Sequence, residues 1–163
     1  MRTLFYFFLL LCCAPLLSCT KEVPASFWRD YHTKAIVKNE HDMKPEGGYN
    51  FMHWEASSNK TFTGPEARQF AERNGWKLVK IYKADSATVS RWKKNGIAFA
   101  KFSPFDNSFA GLSQYIGRPL KIYAFKTGWL LVEPTTGKKT EVNGYVVLGN
   151  RGRRMSMYHR WGE

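Results

Sequence analysis

The chain has 163 residues, a formal net charge of +12 and 16% aromatic residues, a composition that excludes global disorder and supplies enough material for one packed core. The charge is uneven: from Cys19 to Gly75 eight basic residues meet eight acidic ones, whereas from Trp76 to Glu163 sixteen basic residues meet five acidic ones, a net of +11. An evenly soluble surface does not require that bias, so it points to an anionic partner.

Met1-Arg2-Thr3 precedes an unbroken apolar run from Leu4 to Ala14. A run of roughly a dozen residues has the layout of a secretory signal peptide and falls short of the about 20 that a membrane-spanning helix needs. It ends in Leu16-Leu17-Ser18-Cys19, which resembles the lipobox of bacterial lipoproteins: an aliphatic residue three before the cysteine and a small one directly before it. The resemblance covers about the first twenty residues. It implies that Cys19 receives a diacylglycerol thioether, that signal peptidase II cuts after Ser18, and that the new amino terminus is acylated. The implied organisation is a signal peptide over 1–18, a lipidated tether over 19–25 and a single globular α+β domain over 26–163 with a basic C-terminal half. The implied location is the cell envelope, on a membrane; Thr20, standing where an Asp would favour the inner membrane, favours the outer membrane of a Gram-negative cell. Cys12 and Cys13 leave with the signal and Cys19 is consumed by lipid. The mature domain is then left with no thiol for a disulfide, a metal or a nucleophile.

After the tether, Ser26 is positioned to cap a helix whose apolar face is Phe27, Trp28, Tyr31 and Ala35. Asn39 to Gly48, with its charges, Pro45 and paired glycines, reads as a loop, and Tyr49 to Glu55 as a strand of ambiguous buried face. Thr63-Gly64-Pro65-Glu66 is a capping box, in which the threonine hydroxyl bonds the Glu66 amide and Glu66 reaches back. The helix it starts carries Ala67, Phe70 and Ala71 and ends at Asn74-Gly75. Trp76 to Lys83 reads as a strand, and Ser86 to Asn95 as a helix capped by Ser86 with Val89 and Trp92 inward. Ile97 to Phe102 reads as a strand, and Ser108 to Ile116 as one or two helical turns. Leu120 to Phe125 and Trp129 to Glu133 flank Thr127-Gly128 as a hairpin, with further strands at Glu141 to Leu148 and Arg154 to Trp161. The pattern predicts an α+β fold, with helices mainly in the first two thirds and an antiparallel sheet in the last third. Gly128-Trp129-Leu130-Leu131-Val132, followed by Gly144-Tyr145-Val146, resembles bacterial SH3-like domains, small barrels often used in cell-wall binding; a barrel over 128–146 is what the resemblance implies.

Motifs for catalysis are absent. His53-Trp54-Glu55 has the His-x-Glu of zinc deaminases without the cysteine pair which that metal needs. His32, His41 and Asp42 do not fall at a ligand spacing, so neither a metal nor another cofactor is expected. No Gly-x-Ser-x-Gly or Ser-x-x-Lys occurs. Glu55, Glu66, Asp85 and Asp106 are the acids available to a dispersed carboxylate pair, with Glu66 already explained as a cap. No catalytic residue is assigned, and a non-enzymatic role is expected.

The basic aromatic tail is the binding candidate: Arg151, Arg153, Arg154 and Arg160 beside Tyr158 and Trp161 place guanidinium groups, which grip phosphate or carboxylate bidentately, next to rings that stack on bases or sugars. The structural alternative is a charged edge strand that resists aggregation. Export removes nucleic acid from the expected partners. The expectation is an envelope lipoprotein whose basic face binds phospholipid, lipopolysaccharide or peptidoglycan. The alternatives are binding of a protein partner, as an envelope assembly component or an immunity or exclusion protein, and an envelope hydrolase.

Overall fold

A computed structural model describes residues 24–57, 59–95, 118–132 and 136–162, with the backbone alone for 91–95. Six strands form one sheet: β1 (Ile36–Lys44), β2 (Gly47–Glu55), β3 (Lys77–Ala84), β4 (Leu120–Val132), β5 (Lys139–Gly149) and β6 (Arg154–Gly162), in the order β1-β2-β6-β5-β4-β3. Successive neighbours in that order are antiparallel. Two helices, α1 (Gly64–Arg73) and α2 (Ser86–Asn95), lie beside it. Three of the six strands precede residue 117, so the expected partition into early helices and a late sheet is overturned: antiparallel β-structure dominates the described chain from end to end.

Each correction has a local cause. The apolar spacing of Phe27, Trp28, Tyr31 and Ala35 makes no helix; it makes two 3-10 turns, Ser26–Asp30 and Thr33–Ala35, parted by an extended Tyr31 and a left-handed His32. Those rings answer to the sheet beneath them, not to a helical period. The supposed loop Asn39 to Gly48 is most of β1 and the turn into β2, with Lys44 paired to Gly47. β1 is an edge strand whose residues are almost all exposed, so it shows no apolar alternation and reads as polar loop. Thr127-Gly128 is no hairpin either. β4 runs straight through it, and its pairing with β5 steps from Lys126↔Val142 to Leu131↔Thr140, a bulge that Gly128 permits at φ 82°. The hairpin reading failed because glycine serves turns and bulges alike. Segment 128–146 thus supplies the end of β4 and the start of β5, and the readings at Ile97–Phe102 and Ser108–Ile116 fall outside the described residues.

The capped helix forms as expected, although one half of its cap differs. Thr63 Oγ1 accepts the Glu66 amide at 3.3 Å, while the Glu66 carboxylate bonds His32 Nε2 at 2.6 Å instead of turning back to the cap. In α2 the capping group is Asp85, whose Oδ1 accepts the Thr88 amide at 2.7 Å, and Ser86 is the first helical residue.

Alternation along the strands divides the core in two. One face carries Met52, Trp54, Tyr123, Phe125, Met155 and Met157, under a lid of Trp28, Tyr31 and the α1 residues Ala67 and Ala71. The lid is a continuous aromatic layer: Trp28 lies 6.0 Å from Trp54, 5.2 Å from Phe70 and 5.7 Å from Trp76, centroid to centroid. The opposite face holds Leu120, Ile122, Ala124, Tyr145 and Val147 with Ala84 and with Val89 of α2. Both faces are therefore closed, and consecutive Met155, Ser156 and Met157 are all buried. β6 lies between β2 and β5. Its charges cannot be the guard of an edge strand.

Candidate anion-binding cleft

The register of β3 on β4 sets Lys83 directly opposite Lys121. Side chains so placed have Cβ atoms about 5 Å apart, and like charges in that position destabilise a sheet. A second such pair, Lys77 and Lys126, is relieved by Glu141, whose carboxylate lies 2.9 Å from the Lys126 ammonium. Among the described residues no carboxylate comes within ion-pair distance of Lys83 or Lys121.

Both lysines line a cleft of about 840 Å³ at the end of the sheet. Its other walls are the start of α1 at Thr63-Gly64-Pro65, the end of β5 at Leu148-Gly149, and the turn Arg151-Gly152. The turn brings in a third cation. Asn150 and Arg151 are left-handed, at φ 52° and 56°, and Gly152 at φ 83° packs so close to the chain that a Cβ there would lie 2.5 Å from the Phe62 carbonyl oxygen. The Phe62 amide donates to the Gly152 carbonyl at 2.7 Å, and Arg118 donates to the Asn150 side chain. These bonds hold Arg151 at the rim.

Tyr123 completes the arrangement from below. Only 6% exposed, it lines the cleft, and its hydroxyl approaches Gly64 so closely that no side chain fits between them. Among the described residues that hydroxyl has no hydrogen-bond partner. Burial raises its pKa, so it stays a neutral donor. Among the described residues the one carboxylate on the wall, Asp85, is engaged in capping α2. Three cations, a phenol donor and the positive end of α1 thus converge on one space, a set suited to a phosphate or carboxylate.

The tail singled out in the sequence does not form one patch. Arg151 lines the cleft, while Arg153 is exposed beside it and uses its carbonyl to accept the Ala56 amide at 2.9 Å. Arg154 Nε lies 3.1 Å from Glu55 Oε1. Tyr158 is half-buried with its ring stacked 6.3 Å from Tyr49, and Arg160 is opposite Tyr49 in register on that same face. Trp161 is buried on the other face, 5.1 Å from His159, and presents no ring for a sugar. Arg151 and Arg153 belong to the turn before β6, distance along the strand parts Arg154 from Arg160, and alternation turns Trp161 away from both, so adjacency in sequence made no single patch. Lys83, Lys121 and Tyr123 escaped sequence reading because only the strand register brings them together. Cys19 lies outside the described residues.

Two buried histidines complete the polar inventory. His53 Nδ1 lies 2.8 Å from the Ser156 hydroxyl and its Nε2 lies 3.7 Å from Glu55 Oε1. Desolvation lowers the His53 pKa against the opposing pull of Glu55. A serine, a histidine and a glutamate in sequence suggest a nucleophile relay, yet the Ser156 side chain is fully enclosed and meets no open space through which a substrate could approach it. The group ties β2 to β6. His159 Nε2 donates to Thr127 Oγ1 at 3.1 Å, because the threonine proton is committed to Asn143 Oδ1 at 2.6 Å. Burial pushes the His159 pKa down to about 3. Among the described residues no cluster of three histidine, cysteine or acidic side chains could hold a metal ion.

Comparison with protein-family models, with curated proteins and with solved structures finds no match to this chain.

Proposed function

We propose that this protein is a lipoprotein held on an envelope membrane through Cys19, and that its non-enzymatic task is to bind an anionic envelope component. The observation that carries the binding half is the uncompensated pair Lys83 and Lys121, set side by side by register and joined by Arg151 around one cleft. Such a pair opposes folding unless an anion lies between the ammonium groups. The ligand chemistry is a phosphate or carboxylate group, as carried by phospholipid, lipopolysaccharide or peptidoglycan. The anchoring half is supported by Leu16 to Cys19 at the end of the apolar run.

Sedimentation of the soluble domain with anionic liposomes, lipopolysaccharide and peptidoglycan, at low and high salt, tests the binding and separates the sources. Each basic residue near an anionic surface contributes on the order of 1 kcal/mol. Replacing Lys83, Lys121 and Arg151 together by Ala costs about 3 kcal/mol, more than a hundredfold in affinity. Arg153→Ala with Arg160→Ala leaves binding within a few-fold. Equal binding by the cleft variant and wild type would reject the cleft, and absence of binding to all three materials would shift the function to a protein partner. Labelled palmitate incorporation, lost in Cys19→Ala, tests the anchor.

A further inference from the structure

The end of the sheet opposite the cleft is unusually apolar for a surface. Met43, Trp129 and Leu130 are 46, 38 and 50% exposed. They come from distant parts of the chain, the β1–β2 turn and the end of β4, yet they line one groove together with Pro24. Trp129 stands 6.3 Å from the buried Trp161, which backs the groove from inside. Val37 on β1 and Val79 and Ile81 on β3 are exposed as well, but they do not line this groove; at the tip three large apolar groups from distant parts of the chain gather outward in one groove, a patch that calls for an occupant.

Pro24 identifies it. Its carbonyl accepts a bond of 3.3 Å from the side-chain amide of Asn50, a fully buried residue, so the chain enters the domain at this tip and is fixed there. Pro24 follows Cys19 by five positions. A chain of that length spans at most about 18 Å even when fully extended. A lipid on Cys19 therefore draws this end of the domain, and no other, to within a short distance of the acyl layer. The ionic side chains on the groove are Lys44 and Glu46, one of each sign, so attraction there comes from apolar burial and the interfacial preference of indole, not from net charge.

We infer that the tip formed by Met43, Trp129 and Leu130 rests in the headgroup–acyl boundary of the membrane that holds the anchor. The inference builds on acylation of Cys19 and adds an orientation. β6 runs the length of the sheet from the cleft end at Arg154 to the tip at Gly162, nine residues. At about 3.4 Å per residue the cleft then faces away from the bilayer by roughly 30 Å. Its anionic ligand belongs to whatever lies beyond that leaflet's own headgroups, and the domain stands upright as a short pillar carrying a cationic head.

Depth-dependent quenching tests this. Leu130→Cys and, at the cleft end, Arg153→Cys are each labelled with an environment-sensitive fluorophore. The chain is placed on phosphatidylcholine vesicles containing nitroxide-labelled lipid. It is held there by its own acyl groups in one arm, and in the other by an amino-terminal hexahistidine in place of Cys19 on a nickel-chelating lipid. Mass spectrometry of the purified chain reports the acylation. Quenching several-fold stronger at position 130 than at 153 is expected in both arms. Equal quenching, none at 130, or stronger quenching at 153 overturns the orientation, and with an acylated chain leaves the anchor standing and the apolar tip open to a protein partner. An unacylated chain that still quenches at 130 on the chelating lipid upholds the lipid-facing tip while rejecting the anchor.

Discussion

Acid should destabilise this domain through His159. The ring is fully buried, held neutral, and has its pKa pushed from 6.5 to about 3 by burial. Its folded pKa lies below its unfolded one, so the unfolded chain binds the proton more readily and stability falls as pH drops from about 6.5 toward 3. At pH 4.5 the unfolded ring is protonated about a hundredfold over neutral while the folded ring is still neutral, which removes about 2.5 kcal/mol relative to pH 7. That is a large fraction of the 5 to 15 kcal/mol typical of a domain, given roughly. Urea unfolding of the soluble domain followed by tryptophan fluorescence at pH 7 and pH 4.5 measures the loss. His159→Gln keeps a donor toward Thr127 and removes the titration, so between the two pH values it should lose about 2.5 kcal/mol less than wild type. His53, also lowered by burial, adds to the loss in both proteins alike and does not affect the difference. Parallel losses in the two proteins would show that His159 is not held neutral in a dry site.

Other consequences follow from single contacts. Thr63→Ala removes the cap of α1 and should lower stability by about 1 kcal/mol in the same urea assay. Trp28→Ala strips the centre of the aromatic lid, at a cost of about 3 to 5 kcal/mol, and should leave the domain largely unfolded at 37 °C by circular dichroism. Gly64→Ala drives a methyl into the Tyr123 hydroxyl and should destabilise by about 1 to 3 kcal/mol, with α1 displaced from the cleft. Lys83→Glu turns the opposed lysines into an ion pair, so stability should rise by about 0.2 to 1 kcal/mol while binding of anions falls; a lower melting temperature would contradict the reading of an uncompensated pair.

Some of this protein was legible in its residues alone. Thr63, Pro65 and Glu66 mark the start of α1 because capping depends on neighbours within one turn, and Asn74-Gly75 mark its end for the same reason. The strands around β3 and β5 follow from their β-branched and aromatic residues, and β6 from the alternation of Met155, Met157, His159 and Trp161 with Arg154, Ser156, Tyr158 and Arg160. The charge split also belongs to sequence, since it is a count. Where elements were misread, local chemistry underdetermined the outcome. Phe27, Trp28 and Tyr31 fit a helical face as well as they fit a lid over Trp54 and Trp76, and only the sheet beneath decides between the two. Asn39 to Lys44 look like loop because an exposed edge strand has nothing to alternate against, and pairing with β2 is what makes them a strand.

The site shows the same division more sharply. Arg154 and Arg160 share one face of β6 yet have different surroundings, one paired with Glu55 and the other opposite Tyr49, because six residues of extended strand carry them about 20 Å apart. Lys83 and Lys121 stand 38 positions apart in the chain and meet only through the register of β3 on β4. That register is fixed by which apolar residues of the two strands must face the two cores, a condition spread over the whole sheet. Composition therefore determined that the protein carries excess positive charge and room for one core. Strand pairing decided where Lys83 and Lys121 meet and which end of the domain is left apolar, and the left-handed turn after β5 added Arg151 to them.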